Sequence, residues 1–229
     1  MRSLRWLSHS SAADFPSPDQ ALTEPNGLLA AGGDLTPDRL LTAYRSGIFP
    51  WYEEGQPILW WSPDPRAVLW PDRLHVSRSL RRSLRKGGFT FRVDTAFDEV
   101  VAGCAAPRSY GHGTWITREM ATAYGRLHRL GWAHSFEAWH DEMLVGGLYG
   151  VAIGRVFFGE SMFARMADAS KVALVHAVRL LRERAFELID CQVASAHTTS
   201  LGATNVDRAE FLRSLTVLCE PAGTPTHWS

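Results

Sequence analysis

An α+β fold, in which helices pack against a mixed β-sheet, is the class that the sequence predicts. The first observation is a run of three strand-like segments within residues 134–163, joined by short turns and followed by an amphipathic helix and one further strand. The second is composition, since 45% of the residues are hydrophobic and 21% are charged, which is typical of a globular protein. The third is that no apolar run reaches the roughly 18 residues of a membrane-spanning helix.

The N-terminal part of the chain predicts one helix and a long connection. The helix is expected where Thr36 can act as N-cap, a proline occupies the first helical position and Gly47 can end the helix. Residues 48–70 contain four prolines and four tryptophans, and so many prolines disfavour any regular element. We therefore expect an ordered connection there. A domain boundary within it divides a small N-terminal domain, residues 1–63, from a larger domain, residues 64–229.

A second, short helix is predicted between Ser77, a candidate N-cap, and Gly87, which can end it. Basic residues at spacings of three and four occupy one face, and no acidic residue interrupts them. These residues are Arg78, Arg81, Arg82, Arg85 and Lys86. A solvated face is the ordinary alternative, but such faces usually mix charge signs. Because the formal net charge of the chain is zero, a polyanionic partner needs a local patch, and this helix is predicted to bind phosphate groups.

The remaining elements follow from hydrophobic periodicity and from turn and cap residues. In chain order they are a strand at residues 89–94, a helix at 117–130, three strands within 134–163, a helix at 168–186, a strand that starts at Leu188 and a last helix at 206–215. Asp207 and Glu210 have the spacing of a capping box at the start of the last helix. The apolar stripe of the helix at 117–130, which includes Met120 and Tyr124, is predicted to be core.

Polar residues interrupt the strand that starts at Leu188, in the stretch LIDCQV. Because strands alternate faces, Ile189 and Cys191 share one face, and Asp190 and Gln192 share the other. If the second face is exposed to solvent, the pattern is ordinary amphipathy. If it lines a cleft, two polar side chains stand about 7 Å apart there, which is twice the rise per residue. Cys191 is predicted to lie in the core.

Cysteine usage and sequence motifs exclude several classes of protein. Three cysteines, odd in number and far apart in the chain, favour a reducing cytoplasm over a disulfide scaffold. The chain has no CxxC or HExxH motif and no paired histidine spacing, so no metal site is predicted. It has neither a GxGxxG nor a Walker-type glycine loop. The first residues have no long apolar core, and a secretory signal is not expected.

Six motifs follow one another along the chain: EPNGLLAAGGDLTPDRLLTAYRSGIFPWY, WWSPDPRAVL, GTWIT, HSFEAW, LVGGLYGVAIGRVFFGESMF and LIDCQVASAHTTSLGA. Together they closely resemble the leucyl/phenylalanyl-tRNA–protein transferases of bacteria, over about residues 24–205. The resemblance implies a small N-terminal domain and a larger catalytic domain with a GNAT-like fold, the acyl-CoA N-acyltransferase type. It also implies a cytoplasmic, monomeric enzyme that uses no metal, acyl-CoA or other cofactor.

The activity implied by the resemblance is transfer of Leu or Phe, and less well Met, from Leu-tRNA or Phe-tRNA to a protein that begins with Arg or Lys. The product carries an N-degron and is marked for degradation. The resemblance assigns three polar residues to the active site: Glu160, Asp190 and Gln192. It assigns five apolar residues to the walls of an aminoacyl pocket: Trp51, Trp115, Leu148, Phe157 and Met162. It assigns the basic helix at residues 78–86 to the tRNA acceptor stem.

The implied reaction suits these residue types. It is aminolysis of an ester by an α-amine, whose ordinary pKa of about 7.7–8.0 leaves part of the amine neutral at neutral pH. The enzyme therefore needs to position the reactants and to stabilise the oxyanion more than to activate a nucleophile. We expect an ionised Asp190 to accept a hydrogen bond from the amine or to hold the basic N-terminus, Gln192 to orient the ester, and Glu160 to bind positive charge of the acceptor.

Two other functions stay open from the residues alone. One is an acyl-CoA-dependent N-acyltransferase of the same fold, although the segment RMADASK lacks the glycine-rich pyrophosphate turn that such enzymes usually carry. The other is a non-catalytic tRNA- or RNA-binding module, which would need the basic helix but neither Glu160 and Asp190 nor an apolar pocket. The roles of His112 and His197 are not assigned.

Overall fold

The computed structural model describes residues 4–9, 14–106, 116–220 and 226–228. The strands in these residues form two sheets, one of four strands and one of seven, with helices packed against them. The α+β class predicted from the sequence is confirmed. None of the helices in the described ranges is long and apolar enough to cross a membrane.

The four-stranded sheet lies in the N-terminal part of the chain and has the strand order β1-β2-β4-β3. Its strands are β1 (Arg5–Leu7), β2 (Leu28–Gly32), β3 (Phe49–Pro50) and β4 (Leu59–Trp61). Helix α1 (Pro37–Arg45) follows β2 and begins after Thr36, as predicted. Trp60 is fully buried here, and its indole N–H donates to the Gly32 carbonyl oxygen at 2.9 Å.

The seven-stranded sheet has the strand order β11-β5-β10-β9-β8-β7-β6. Its strands are β5 (Arg66–Leu69), β6 (Thr90–Val93), β7 (Ala133–His140), β8 (Met143–Ile153), β9 (Val156–Ala164), β10 (Leu188–Gln192) and β11 (Thr204–Val206). Neighbouring strands are antiparallel except β9 and β10, which are parallel. The predicted meander and the strand after it are therefore confirmed, and the sheet is mixed.

Within the described residues, six further α-helices pack on this sheet or at its edges. They are α2 (Arg78–Lys86), α3 (Phe97–Ala105), α4 (Arg118–Arg129), α5 (Ala169–Glu183), α6 (Ala196–Ser200) and α7 (Arg208–Leu218). The predicted cap of α2 is confirmed, since the Ser77 side chain accepts from the backbone N–H of Leu80. Helices α3 and α6 are not predicted from the sequence. The predicted capping box at Asp207 is wrong, because that side chain makes no cap hydrogen bond, whereas Ser195 and Thr198 form a capping box at α6.

The prediction of no regular element in residues 48–70 is also wrong. Strands β3, β4 and β5 all lie in this segment. They are only two to four residues long, so most of the prolines fall between them, and the one inside a strand, Pro50, lies in the two-residue edge strand β3. Edge positions tolerate proline because one side of the strand makes no ladder hydrogen bonds.

The hydrophobic core has two layers, one on each face of the seven-stranded sheet. The first layer holds residues from α1, α3, α4 and α7 and from the N-terminal sheet, and the second holds residues from α2 and α5. Consecutive strand residues alternate between the layers: Val68 and Phe158 belong to the first, Leu69 and Phe157 to the second. Both sheets contribute to the first layer, and the domain boundary at residue 63 stays a prediction.

The strands β9 and β10 pair over only three residues each, Val156–Phe158 with Leu188–Asp190. Beyond this point in the described chain, β9 pairs only with β8, and β10 only with β5. A bulge lies at the divergence in each strand: the β8–β9 register skips Glu160, and the β10–β5 register skips Cys191. Because bulges bend a strand and redirect its side chains, the sheet opens between these two residues.

Candidate active site

A cavity of about 460 Å³ occupies the opening between β9 and β10. Its volume lies within the range of about 300–1,000 Å³ that is usual for small-molecule sites. The apolar part of the wall comes from β5, β8, β9, β10 and α5. The side chains that form it include Leu69, Leu148, Phe157, Met162, Leu174 and Ile189. The wall also includes Glu160 and His197, so the cavity combines an apolar interior with a few polar groups.

Glu160 is the bulged residue of β9 and is almost fully buried. The Tyr44 hydroxyl donates to its Oε1 at 2.7 Å, and the Tyr124 hydroxyl donates to its Oε2 at 2.8 Å. Burial raises the pKa of Glu160 to about 7, although the two tyrosine hydroxyls act to lower it. This carboxyl can therefore exchange a proton near neutral pH, which is a property expected of a functional group rather than of an ordinary surface glutamate.

The two tyrosines hold Glu160 from different parts of the chain, since Tyr44 lies on α1 and Tyr124 on α4. Burial, and after it the charge of Glu160, raises the pKa of both phenols well above its ordinary value. Both hydroxyls therefore stay protonated. Their oxygens are 2.5 Å apart, and because each hydroxyl has one proton, a hydroxyl that donates to the other does not donate to Glu160 at the same time. Sequence patterns place Tyr124 in an apolar stripe and do not single out Tyr44, because a tyrosine on a buried helix face gives no local sign of its partner.

Asp190 borders the cavity, but its carboxylate is turned into the first core layer. It is fully buried, and Arg66 binds both of its oxygens: Nε donates to Oδ1 at 2.8 Å and Nη2 donates to Oδ2 at 2.6 Å. The backbone N–H of Gln192 also donates to Oδ1, at 2.9 Å. Three donors therefore occupy the Asp190 carboxylate, and its contact with a substrate amine stays a prediction.

Gln192 stands at the end of β10 with a backbone φ of +62°, which is uncommon for a residue other than glycine. Its side-chain amide donates to Glu160 Oε1 at 3.1 Å, so it spans the gap between the two diverging strands. The expectation that Asp190 and Gln192 share one face is wrong, because the bulge at Cys191 breaks the alternation. Glu160 and Asp190 belong to the cavity wall, and Gln192 is not among the lining residues but is joined to the wall by its hydrogen bond to Glu160.

Three of the five predicted pocket residues line the cavity. They are Leu148, Phe157 and Met162. Trp51 is not among the lining residues; it is half exposed, and its ring centroid lies 5.7 Å from that of Trp61. Trp115 lies outside the described residues, as does His112. Leu69, Leu174 and Ile189 are pocket walls that sequence reasoning missed, because an apolar residue on a buried strand or helix looks the same whether it faces the core or a cavity.

Cys191 packs against the second core layer, as predicted, but it also lines the cavity and so does not lie away from the cleft. Its strand neighbour Ile189 is in the second core layer and also lines the cavity. The face predicted to be core is therefore the cavity face, and Asp190, from the face predicted to be polar, is turned toward Arg66. Burial raises the pKa of the Cys191 thiol to about 12, so the thiol stays protonated and is a weak nucleophile.

His197 lies on α6 at the edge of the cavity, and its Nε2 is 3.1 Å from the sulfur of Met162. Burial, and after it the charge of Lys171, lowers the pKa of His197. The ring is therefore neutral at neutral pH. It helps to fix the flexible side chain of Met162, a wall residue, in one position.

The basic face of α2 is exposed, as expected for a surface that meets a polyanion. All five basic residues are solvent-exposed, and none of them forms an ion pair with another described residue. Leu80 anchors the helix in the second core layer. The Ser83 hydroxyl donates to Asp168 Oδ2 at 2.7 Å, just before α5. Because Ser170 on α5 lines the cavity, the basic surface is fixed to the helix that forms one cavity wall.

Comparison with protein families identifies relatives over almost the whole chain. Residues 68–216 match the family model described as leucyl/phenylalanyl-tRNA protein transferase, and residues 33–64 match the model of the N-terminal domain of the same family. A leucyl/phenylalanyl-tRNA–protein transferase of Stutzerimonas stutzeri is 60% identical over 93% of this chain and 93% of its own length. That of an Azoarcus species is 57% identical over 98% of this chain and 94% of its own length.

Solved structures similar to this chain are much more distant. A GCN5-related N-acetyltransferase from Kribbella flavida is 12% identical, with a TM-score of 0.38, and the match covers 74% of this chain and 60% of that one. The protein L-PGS from Bacillus licheniformis is 11% identical, with a TM-score of 0.42, over 72% of this chain and 54% of that one.

Proposed function

The chain belongs to the leucyl/phenylalanyl-tRNA protein transferase family, and from this premise we propose that it transfers Leu or Phe, and less readily Met, from aminoacyl-tRNA to proteins that begin with Arg or Lys. It is an aminoacyltransferase. The new peptide bond creates an N-degron. The observation that carries the proposal is the apolar cavity between β9 and β10, with Glu160 in its wall and Gln192 hydrogen-bonded to Glu160.

The cavity receives the side chain of the amino acid that is transferred. A flexible methionine and flat aromatic rings adapt to both Leu and Phe, and Met162 and Phe157 provide them here. Discrimination by size in such a pocket is worth only about 1–3 kcal/mol per methylene. Rejection of Ile and Val is therefore good but incomplete, whereas charged amino acids are excluded by the cost of burying their charge.

Glu160 meets the α-amine of the acceptor. A carboxyl group with a pKa of about 7 is close to the ordinary pKa of the amine, about 7.7–8.0. It can bind the charged amine or take up its proton, depending on pH. Gln192, which donates to Glu160 Oε1, orients the ester beside it. The amine loses a proton and the ribose oxygen that leaves gains one, so the reaction consumes no net proton and depends mainly on positioning.

The exposed basic face of α2 binds the phosphate backbone of the tRNA acceptor stem. Contacts to the backbone carry no sequence information, so tRNAs of different sequence are accepted, and the cavity selects among the attached amino acids. We include in the proposal that Leu-tRNA and Phe-tRNA are the donors, that Trp51 and Trp115 contact the aminoacyl end, and that the protein acts in the cytoplasm as a monomer with a small N-terminal and a larger catalytic domain.

The proposal is tested by incubating the protein with tRNA carrying radiolabelled Leu and with a peptide that begins with Arg. A peptide of the same sequence that begins with Gly is the control, and tRNA carrying Ile tests the cavity. We expect label in the Arg peptide, none in the Gly peptide, and at least tenfold less transfer of Ile, which corresponds to about 1.4 kcal/mol. Binding of the tRNA without any transfer would instead favour an RNA-binding module.

A further inference from the structure

Arg66 is a buried cation that no substrate can reach. It is fully buried on β5, and its guanidinium carbon lies 4.7 Å from the ring centroid of Phe49 and 4.6 Å from that of Phe211. Its Nη1 donates to the Gly47 carbonyl oxygen at 3.1 Å, and Nε and Nη2 bind the two oxygens of Asp190. Contacts from several parts of the chain therefore fix the guanidinium plane, and that plane fixes the carboxylate.

The contact passes from Asp190 through Gln192 to Glu160, which lies in the cavity wall. Asp190 Oδ1 accepts the backbone N–H of Gln192, and Gln192 holds the left-handed backbone conformation that follows the bulge. That conformation sends the side chain across the gap to Glu160 Oε1 at 3.1 Å. A non-glycine residue in this region costs free energy and persists only when its surroundings determine it. The Asp190 carboxylate is the group that does so here.

We propose that Arg66 is a positioning residue for aminoacyl transfer, which acts through Asp190 to hold Gln192 against Glu160. The inference rests on the proposed function, since it concerns the geometry of that reaction. It gives Asp190 a role different from the one expected from the sequence: it orients the neighbouring backbone rather than the substrate amine. It also adds Arg66, which sequence patterns do not single out.

A purely structural role makes a different prediction. Buried ion pairs are weak evidence for stability, because desolvation offsets much of the attraction. If Arg66 served the core alone, then replacing it would lower the melting temperature and leave the rate of the folded enzyme unchanged. If it positions Gln192, the rate of peptide-bond formation falls in molecules that are fully folded, since a misplacement of about 1 Å can cost about 100-fold.

The test compares Arg66→Lys with Arg39→Lys. Lys keeps the charge but cannot bind both carboxylate oxygens in a fixed plane. Arg39 is a matched control, because it is also fully buried, ion-paired with Asp34 at 3.3 Å and close to an aromatic ring, that of Phe15 at 5.9 Å, but it touches no cavity residue. Single-turnover transfer of Leu from Leu-tRNA, the Kd of Leu-tRNA and the melting temperature are measured for each protein.

We expect Arg66→Lys to slow single-turnover transfer about 100-fold with the Kd of Leu-tRNA changed less than twofold, and Arg39→Lys to change the rate less than twofold at a comparable decrease of melting temperature. Asp190→Asn, which keeps the shape, provides the same test if Arg66→Lys does not fold, and should slow transfer similarly. Combined with Gln192→Ala, Arg66→Lys should slow transfer no further, because both changes remove the same interaction.

Two results would overturn the inference: a folded Arg66→Lys enzyme with a rate within twofold of the wild type, or a full additional decrease of the rate in the Gln192→Ala background. The same experiment separates this failure from failure of the proposed function. A wild-type protein that transfers no Leu removes the proposed function and the positioning role together, whereas an active wild type with an equally active Arg66→Lys variant removes only the latter.

Discussion

The cavity wall and the basic face of α2 both carry polar groups, but those groups are held in opposite ways. Glu160 has three hydrogen-bond donors on its two oxygens and is almost fully buried. The five cations of α2 are exposed and make no ion pair among the described residues. Fixed, buried groups recognise shape and charge at short range, whereas exposed charges attract a polyanion over distances of about a Debye length. The cavity is thus suited to catalysis, and the basic face of α2 is suited to binding the phosphates of tRNA.

The largest expected effect is that of Glu160→Gln, which changes the polar group in the cavity wall. The variant removes the negative charge next to the amine and puts an amide donor among the donors of Tyr44, Tyr124 and Gln192. We expect transfer to fall about 100-fold, similar to the effect of removing one oriented group from an active site, while the Kd of the tRNA and its salt dependence stay unchanged. Single-turnover kinetics and filter binding measure the two quantities.

Glu137→Gln is the control for replacement of a buried carboxylate. Glu137 is fully buried on β7 and accepts from the backbone N–H of Ala96 at 2.8 Å and from the Ser135 hydroxyl at 2.9 Å, but it does not line the cavity. Its folded variant should transfer Leu at the wild-type rate. A Glu160→Gln enzyme that keeps more than half of the wild-type rate would contradict a role for this carboxyl in the reaction.

A smaller effect is expected from substitutions on the basic face of α2. Replacing Arg81, Arg82 and Arg85 by Gln should weaken tRNA binding about tenfold or more and reduce the slope of log K against log salt by about one for each phosphate that the helix no longer binds. The single-turnover rate at saturating tRNA should stay near that of the wild type. The measurement is the Kd of Leu-tRNA over a range of salt concentrations.

Arg126 and Arg129 provide the matched control for this surface. They are exposed cations on α4, which packs against the first core layer, whereas α2 packs against the second. Replacing both with Gln should leave the salt slope unchanged. Equal slopes for the wild type and for the α2 variant would remove the assignment of this helix to tRNA.

The smallest expected effect is on thermal stability. Its dependence on pH should differ between the cavity variant and the α2 variant. The pKa of Glu160 is about 7 in the folded protein, against an ordinary value of 4.5. The folded state therefore keeps a proton that the unfolded state loses, and stability falls as pH rises from about 4.5 to about 7. The melting temperature of Glu160→Gln relative to the wild type should rise by about 10 °C over this range and then level off, because stability changes by about 1.4 kcal/mol per pH unit between the two pKa values and 1 kcal/mol corresponds to about 2–4 °C.

The α2 variant should show no such trend, because arginine stays charged throughout this range. Its melting temperature relative to the wild type should be constant between pH 5 and pH 8 in buffers of about equal ionic strength. Calorimetry of the three proteins makes the measurement. A constant difference for Glu160→Gln as well would mean that the raised pKa of Glu160 does not affect folding.

Much of the fold could be predicted because its signals are local. Helix α1 and helix α2 have cap and stop residues at both ends, and the meander of β7, β8 and β9 shows strand patterning with two short turns. The short strands β3 and β4 could not be predicted, since they are stabilised by pairing with each other and with β2 rather than by their own composition. Local propensity fails where tertiary pairing decides the structure.

The candidate site also combines residues that could be identified from the sequence with residues whose placement depends on the tertiary structure. Glu160 and Gln192 are identified through the family resemblance, and the structure brings them into contact. The direction of Asp190 could not be predicted, because both faces of β10 are buried and alternation alone does not tell which face meets the cavity, and the bulge at Cys191 then breaks the alternation for Gln192. Arg66 has no local signal at all, since its partner lies 124 residues away in the chain. A buried pair of this kind becomes visible only when the fold is known.

This separation in sequence has a kinetic consequence. The Arg66–Asp190 ion pair closes a loop of 124 residues, and the Tyr44–Glu160 hydrogen bond closes one of 116. Loop closure of this length is entropically costly, and non-local contacts form slowly compared with helices and hairpins. During refolding, the helices and the β7–β9 meander can therefore form while β5, β10 and α1 are still undocked. Catalytic competence is then the last property to return, so regain of transfer activity would report complete folding more stringently than regain of circular dichroism.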